Sequence, residues 1–232
     1  MFGKNETFKQ SDFANNNKLI IKDIWFTIQG EGLFTGYPAT FVRLGRCNLS
    51  CNFCDTNFDD DLYNLTVDDA IVKIRDITPH HTKFVIITGG EPFLQPLLAE
   101  LVNKLLDMKF VVQIETAGTL WIDKLHVNHP DFYIVCSPKT GKLNPKLEQW
   151  ISAYKYIISK DNYDMDDGLP NCINGIKTKL ARPLSRTTPI YISPMDEYDI
   201  EKNKANITSV RNIALKFGYR VSLQTHKILG VE

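Results

Sequence analysis

Cys47-Asn-Leu-Ser-Cys51-Asn-Phe-Cys54 sets three cysteines within one short stretch, spaced C-x3-C-x2-C, with an aromatic residue just before the last. It follows a strand-like run, Ala39–Leu44. The next strand-like run, Phe84–Ile87, leads into Thr88-Gly-Gly-Glu91-Pro92. Cysteine thiolates are the ligands on which iron–sulfur clusters are built. Three of them hold three irons of a cubane and leave the fourth iron open to a small molecule, since a closed site usually needs four ligands. The same triplet also reads as half of a zinc site completed by a His, Cys136 or Cys172, although zinc ligands more often come as paired C-x2-C units.

Outward from this stretch, short apolar runs alternate with helical patterns. Leu19–Gln29, Ala39–Leu44, Phe84–Ile87, Phe110–Ile114, Phe132–Val135, Tyr154–Ile158, Ile190–Ile192 and Tyr219–Leu223 read as strands rich in Ile, Val and aromatic residues. Thr66-Val-Asp-Asp69 reads as a helix start, with Ala70, Ile71, Ile74 and Ile77 as its apolar stripe. Leu97, Leu98, Leu101, Val102 and Leu105 repeat at helical spacing, and Ile207 to Phe217 reads as the last helix. Strands alternating with helices argue for parallel βα units, and continuous apolar strands for burial on both faces. Polar or small residues follow each strand: Gln29-Gly30-Glu31-Gly, Thr88-Gly-Gly-Glu91, Glu115-Thr116, Ser137-Pro-Lys139, Ser159-Lys160, Ser193-Pro-Met-Asp196 and Gln224-Thr-His226. Sites of βα barrels are built at that end of the strands. The chain is slightly short for a closed barrel, which typically needs about 250 residues. It also shows few helices between 120 and 190. The expected fold is therefore α/β, a partial, open (β/α) TIM-like barrel, with a polar, mobile or loosely docked arm over 1–18 and one catalytic domain over 19–232.

The chain has 232 residues, with 27 Lys plus Arg against 27 Asp plus Glu. That balance lacks the basic footprint of a nucleic-acid binder and the polybasic tract that attracts an anionic membrane. No apolar run approaches the ~20 residues a membrane span needs. The Asn- and Lys-rich N-terminus has no apolar segment of the signal-peptide kind. Five cysteines, three of them crowded, suit metal binding in a reducing compartment better than disulfides. The expected location is the cytoplasm.

Each further motif has a functional and a plain reading. The Gly89-Gly90 pair lets backbone approach a ligand closely, and Glu91 suits an ammonium group; a tight turn is the alternative. Thr56, after Asp55, can ligate Mg2+ or simply cap a helix. Gln29, Gly30, Glu31 and Arg43 offer hydrogen bonds and a cation for a carboxylate, or form a surface turn. His226 can reach a heterocycle or be structural. The loop with Asp164, Asp166 and Asp167 lacks the Glu that closes a calcium site and reads as a solvated loop. Lys177, Lys179, Arg182 and Arg186 read as a solvated basic stretch.

The cysteine triplet with Gly89-Gly-Glu-Pro92 resembles the radical S-adenosylmethionine (SAM) superfamily. Over nearly the whole chain from residue 24, Phe26-Thr-Ile-Gln-Gly-Glu-Gly32, Phe41-Val-Arg43, Cys54-Asp-Thr56, Ser137-Pro-Lys139 and Gln224-Thr-His-Lys227 resemble the 7-carboxy-7-deazaguanine synthase family. The resemblance implies a radical SAM carbon–nitrogen lyase. It would contract the ring of 6-carboxy-5,6,7,8-tetrahydropterin to 7-carboxy-7-deazaguanine with loss of ammonia, in queuosine and 7-deazapurine biosynthesis.

The implied cofactors are a [4Fe–4S] cluster on Cys47, Cys51 and Cys54, SAM, and Mg2+ on Thr56. Phe53, Asp55, Gly90, Glu91, Ser137, Lys139, Ser193 and Asp196 are implied around SAM. Ser193 stands where the family commonly has Gln. Gln29, Gly30, Glu31, Arg43, Thr88, His226 and the terminal carboxylate of Glu232 are implied around the pterin. A homodimer and an electron donor such as flavodoxin or ferredoxin are implied partners. The competing readings are another radical SAM enzyme, such as a glycyl-radical activase, and a zinc-binding interaction module.

Overall fold

A computed structural model describes residues 5–52, 54, 56–160, 162–173 and 176–231. The strands are β1 (Leu19–Ile28), β2 (Pro38–Leu44), β3 (Tyr63–Leu65), β4 (Phe84–Gly89), β5 (Val111–Thr116), β6 (Phe132–Cys136), β7 (Ala153–Ile158), β8 (Cys172–Ile173), β9 (Ile176–Lys177), β10 (Ile190–Pro194) and β11 (Arg220–Val221). The helices are α1 (Val67–Ile77), α2 (Leu98–Asp107), α3 (Pro145–Glu148), α4 (Ile200–Phe217) and α5 (Thr225–Leu229). The chain divides into two compact units; β6 begins in the first and ends in the second.

In the first unit β2, β4 and β5 pair in parallel, while β1 runs antiparallel to both β2 and β3. The antiparallel start stands outside the parallel βα units read from the sequence. The segment between β1 and β2 spans only 29–37, and a parallel return needs a crossover of a dozen or more residues. Phe84, Val85, Ile86 and Ile87 of β4 are all buried, as an uninterrupted apolar strand requires. α1 packs on β1 and α2 on β5. Thr66 caps α1 as its sequence predicts: its hydroxyl accepts the Asp69 N–H at 3.1 Å and donates to the Asp69 carboxylate at 2.6 Å.

Residues 5–18 also belong to this unit, and they are docked rather than loose. Phe8 N–H donates to Cys47 C=O, and the Gln10 amide donates to the carbonyls of Phe93 and Trp121 at 2.7 and 2.8 Å. Phe13 is buried. The polar sequence conceals this docking because it runs through backbone and amide hydrogen bonds.

In the second unit β6, β7, β10 and β11 pair in parallel, with α4 on β7, β10 and β11. α4 starts at Ile200, before the Ile207 expected from the apolar stripe, because Asp199 caps it through the N–H groups of Glu201 and Lys202. The last helix is α5, and β11 is shorter than the Tyr219–Leu223 run suggests.

The acidic loop is not a bare solvated loop. Arg182 grips both oxygens of Asp167 at 2.8 and 3.1 Å, Lys179 pairs with Asp164 at 2.8 Å, and the Tyr219 hydroxyl donates to Asp167 C=O. The acidic and basic segments, separate stretches in the sequence, neutralise each other in the fold.

Candidate active site

The cysteine loop leaves β2 through Arg46, which adopts a left-handed backbone, φ +71°. That conformation is costly for a non-glycine residue. Arg46 is held there by an ion pair to Asp59 at 2.9 Å and by stacking of its guanidinium over Phe8. The Leu49 N–H then points at Cys47 Sγ at 3.4 Å, and the Cys54 N–H closes a turn on Cys51 C=O. Cys47 is buried and Cys51 and Cys54 half-buried.

Burial, first, and then the nearby Glu91, Cys51 and Cys54 push the Cys47 thiol up to about 12. A thiol so desolvated becomes a thiolate when a metal takes the place of its proton. Among the described residues no three His, Cys, Asp or Glu groups converge as ligands of one ion. Thiolates that each serve a different iron need no such convergence, so the donor set fits a cluster.

The Gly-Gly-Glu turn lies against this loop. Gly90 N–H donates to Leu44 C=O and Glu91 N–H to Arg46 C=O. A Cβ on Gly90 would stand 1.8 Å from Arg46 O, so only glycine lets the two backbones touch. Glu91 is fully buried, and its Oε1 accepts the Phe93 N–H and the Thr116 hydroxyl. These two bonds make Glu91 a strut of the turn.

Arg43 on β2 is registered beside Thr88 on β4, and Thr88 Oγ1 donates to Glu115 Oε2 on β5 at 3.3 Å. Residues directly opposite in a sheet share a face, so Arg43, Thr88 and Glu115 form one polar row. Below it Arg43 stacks over Trp25 at 4.7 Å, and Trp25 stacks on Phe41. Glu115 is part of a strand-end cluster in the sequence, and only the pairing of β4 with β5 brings it beside Thr88. Thr56 C=O accepts from Asn5 and from the Cys54 thiol.

The second unit carries the other group of expected site residues. Gln29 is buried and its Oε1 accepts the Glu31 N–H. Gly30 C=O accepts both the N–H and the hydroxyl of Thr225. A Cβ on Gly30 would stand 1.9 Å from His226 Nδ1, so His226 packs directly on the backbone beside Glu31. Glu31 forms an ion pair with Lys155 of β7, a residue the sequence reading missed.

On β10, Ser193 Oγ is buried with no hydrogen-bond partner among the described residues. Buried polar atoms are rarely left so, and a hydroxyl left open at a strand end fits an absent ligand such as SAM. Lys139 Nζ folds back on Ser137 Oγ at 2.5 Å. Asp196 is held at about 2 by the Lys227 ammonium at 2.7 Å, the Tyr198 N–H and the Asn203 amide, so it ties the β10 end to α5. Phe53, Asp55 and Glu232 lie outside the described residues.

The Radical SAM superfamily model matches residues 42–152. Over its full length the chain is 39% identical to a 7-carboxy-7-deazaguanine synthase of Rickettsia prowazekii, covering 96% of that protein. It is 37% identical to one of Rhodospirillum rubrum over all of both chains. The crystal structure of QueE from Escherichia coli is similar in fold, with a TM-score of 0.66 at 20% identity, covering 94% of this chain and 99% of that one. The α/β fold of the radical SAM type read from the sequence agrees with that likeness.

Proposed function

The chain belongs to the 7-carboxy-7-deazaguanine synthase family of radical SAM enzymes, and we propose that it contracts the ring of 6-carboxy-5,6,7,8-tetrahydropterin to 7-carboxy-7-deazaguanine with loss of ammonia. The observation that carries this reading is the cysteine loop, its first cysteine buried, with its start at Arg46 and Cys47 pressed against the Gly90 backbone. When bound, the reduced cluster and SAM supply the radical that starts the reaction; the protein binds, orients and excludes water.

Cys47, Cys51 and Cys54 would hold a [4Fe–4S] cluster through their thiolates. Gly90, Glu91, Ser137, Lys139, Ser193 and Asp196, with Phe53 and Asp55, surround SAM in this proposal. The open Ser193 hydroxyl supports that role. Thr56 would hold Mg2+, a cation that takes few protein ligands and would offset the charge of the substrate carboxylate.

The pterin falls to Gln29, Gly30, Glu31, Arg43, Thr88, His226 and the carboxylate of Glu232. Arg43 suits the substrate carboxylate because guanidinium pairs with it in bidentate fashion. Glu31, held ionised by Lys155, suits the N–H groups of a pterin edge. No helix among the described residues is long and apolar enough to cross a membrane. A cytoplasmic homodimer served by flavodoxin or ferredoxin completes the proposal.

The test is anaerobic incubation of the reconstituted protein with SAM, dithionite, Mg2+ and the carboxylated pterin, followed by mass analysis. The expected product is 7-carboxy-7-deazaguanine, with less formed when Mg2+ is withheld. Recovery of unchanged pterin from protein with a full complement of iron and sulfide would sink the proposal.

A further inference from the structure

The segment from Asn5 to Gln10 grips the cysteine loop at both ends. Thr7 bridges Cys47 in parallel, and Phe8 N–H donates to Cys47 C=O at 2.9 Å. Asn5 grips the other end. Its Nδ2 donates to Thr56 C=O at 3.2 Å and approaches Cys54 Sγ at 3.6 Å, while its Oδ1 accepts the Phe58 N–H at 3.4 Å. Glu6 N–H adds a bond to Asp59, the carboxylate that also holds Arg46. Gln10 then ties the segment to the carbonyl of Phe93, just past the Gly-Gly-Glu turn. One short stretch therefore links the first cysteine, the third cysteine, Thr56 and the glycine turn.

We propose that this N-terminal stretch is a clasp on the cluster loop, with Asn5 as a positioning residue that hydrogen-bonds the Cys54 sulfur and fixes the backbone of Thr56 and Phe58. The inference rests on the reading of the cysteine loop as a cluster site. Hydrogen bonds to cluster sulfurs are among the factors that set reduction potential. A donor to the sulfur favours the reduced, more negative cluster. Groups that orient metal ligands also govern retention, and losing one typically costs about 10–100-fold in metal affinity. Asn5 is placed to do both.

The experiment uses the full chain, reconstituted without oxygen, with Asn5→Leu and Asn5→Asp beside the unaltered protein. Asn5→Leu removes every hydrogen bond of the side chain. Asn5→Asp keeps the shape and the acceptor for Phe58 but removes the donor to sulfur. Two readouts are independent of turnover: the cluster's midpoint potential by EPR-monitored titration, and the rate at which a ferrous chelator strips the iron. Both variants are expected at a more negative potential, Asn5→Asp the further because it adds charge. Asn5→Leu is expected to lose iron roughly 10-fold faster.

A variant whose apoprotein melts normally but does not load is the extreme form of the expected result. Unaltered protein that takes up no iron and sulfide overturns the cluster reading itself. Loaded variants with unchanged potential and unchanged chelator kinetics overturn the clasp and leave the cluster reading standing.

Discussion

The Lys155 ammonium closes on the carboxylate of Glu31, and both side chains are largely withdrawn from water. Burial alone would raise the Glu31 carboxyl. The charge and hydrogen bond of Lys155, then the Gln224 hydrogen bond and the charge of His226, outweigh it and leave Glu31 below its ordinary value. Glu31 is thus kept anionic in a place that disfavours anions. Its neighbour Gly30 packs against His226 of α5, so a fixed carboxylate and an imidazole lie close together.

Lys155→Met should reverse that balance. Burial remains, the compensating charge goes, and the Glu31 carboxyl rises. The acid limb of the pH profile of kcat/KM then moves to higher pH. Breaking one side of a buried pair costs about 3–5 kcal/mol, read as a fall in melting temperature. The sign follows from linkage: a lowered carboxyl contributes stability that is present above its unfolded value and lost as pH falls through the folded one. The stability gap between parent and variant should therefore be widest near neutral pH and close in acid. Adding Glu31→Gln should restore much of the stability, since no unpaired charge then remains. A constant gap across pH would refute the ion pair.

Gly90→Ala tests whether the glycine turn and the cysteine loop depend on each other. The added Cβ meets backbone oxygen of Arg46 at 1.8 Å, so one strand of backbone must move. The expected result is a folded protein, judged by circular dichroism, with iron content reduced several-fold after reconstitution. Iron content equal to the parent's would mean the contact is incidental.

The two remaining kinds of cysteine should separate cleanly. Cys51→Ala should abolish cluster loading, since it removes one of three ligands. Cys136 is buried in the core of the second unit beneath Gly118, whose Cβ would lie 2.6 Å from its sulfur. Cys136→Ala should leave iron and sulfide content unchanged and lower the melting temperature through a small cavity. Loss of metal on Cys136→Ala would revive the zinc reading.

How much of this was legible in the sequence depends on the kind of interaction. The apolar run Phe84–Ile87 announced a buried strand, and Thr66 with Asp69 announced a cap, because period and cap chemistry are local. Gly90 was legible as a turn, but its reason, contact with the Arg46 carbonyl, lies across two strands. Lys155 was hidden inside an apolar strand pattern, as one charge among Tyr154, Tyr156 and Ile157. Asn5 sat in a polar run that carries no periodicity. Its partners are a backbone carbonyl, a backbone N–H and a sulfur, which leave no mark on sequence pattern. The start of α4 was missed for a similar reason: its first turns are polar, and only the Asp199 cap signals them.

Glu115 offers the last test. Its Oε2 accepts the Thr88 hydroxyl and its Oε1 the Gln113 amide, while Gln113 itself is fully buried. Because Thr88 gives its proton to Glu115, its oxygen is left to act as an acceptor for the proposed pterin. Glu115→Gln brings an amide donor to one of these two contacts. If that amide faces Thr88, the hydroxyl must accept from it, and its own proton then points at the substrate. An acceptor becomes a donor without any change in shape. Hydrogen bonds involving charged groups contribute about 1.5–3 kcal/mol, so KM for the pterin should rise about 10–100-fold, with KM for SAM and iron content unchanged. Thr88→Val alone should show a similar rise, and combining the two should add little, since neighbours that act through one contact are not additive. Fully additive effects would separate the two residues and remove Glu115 from the substrate face.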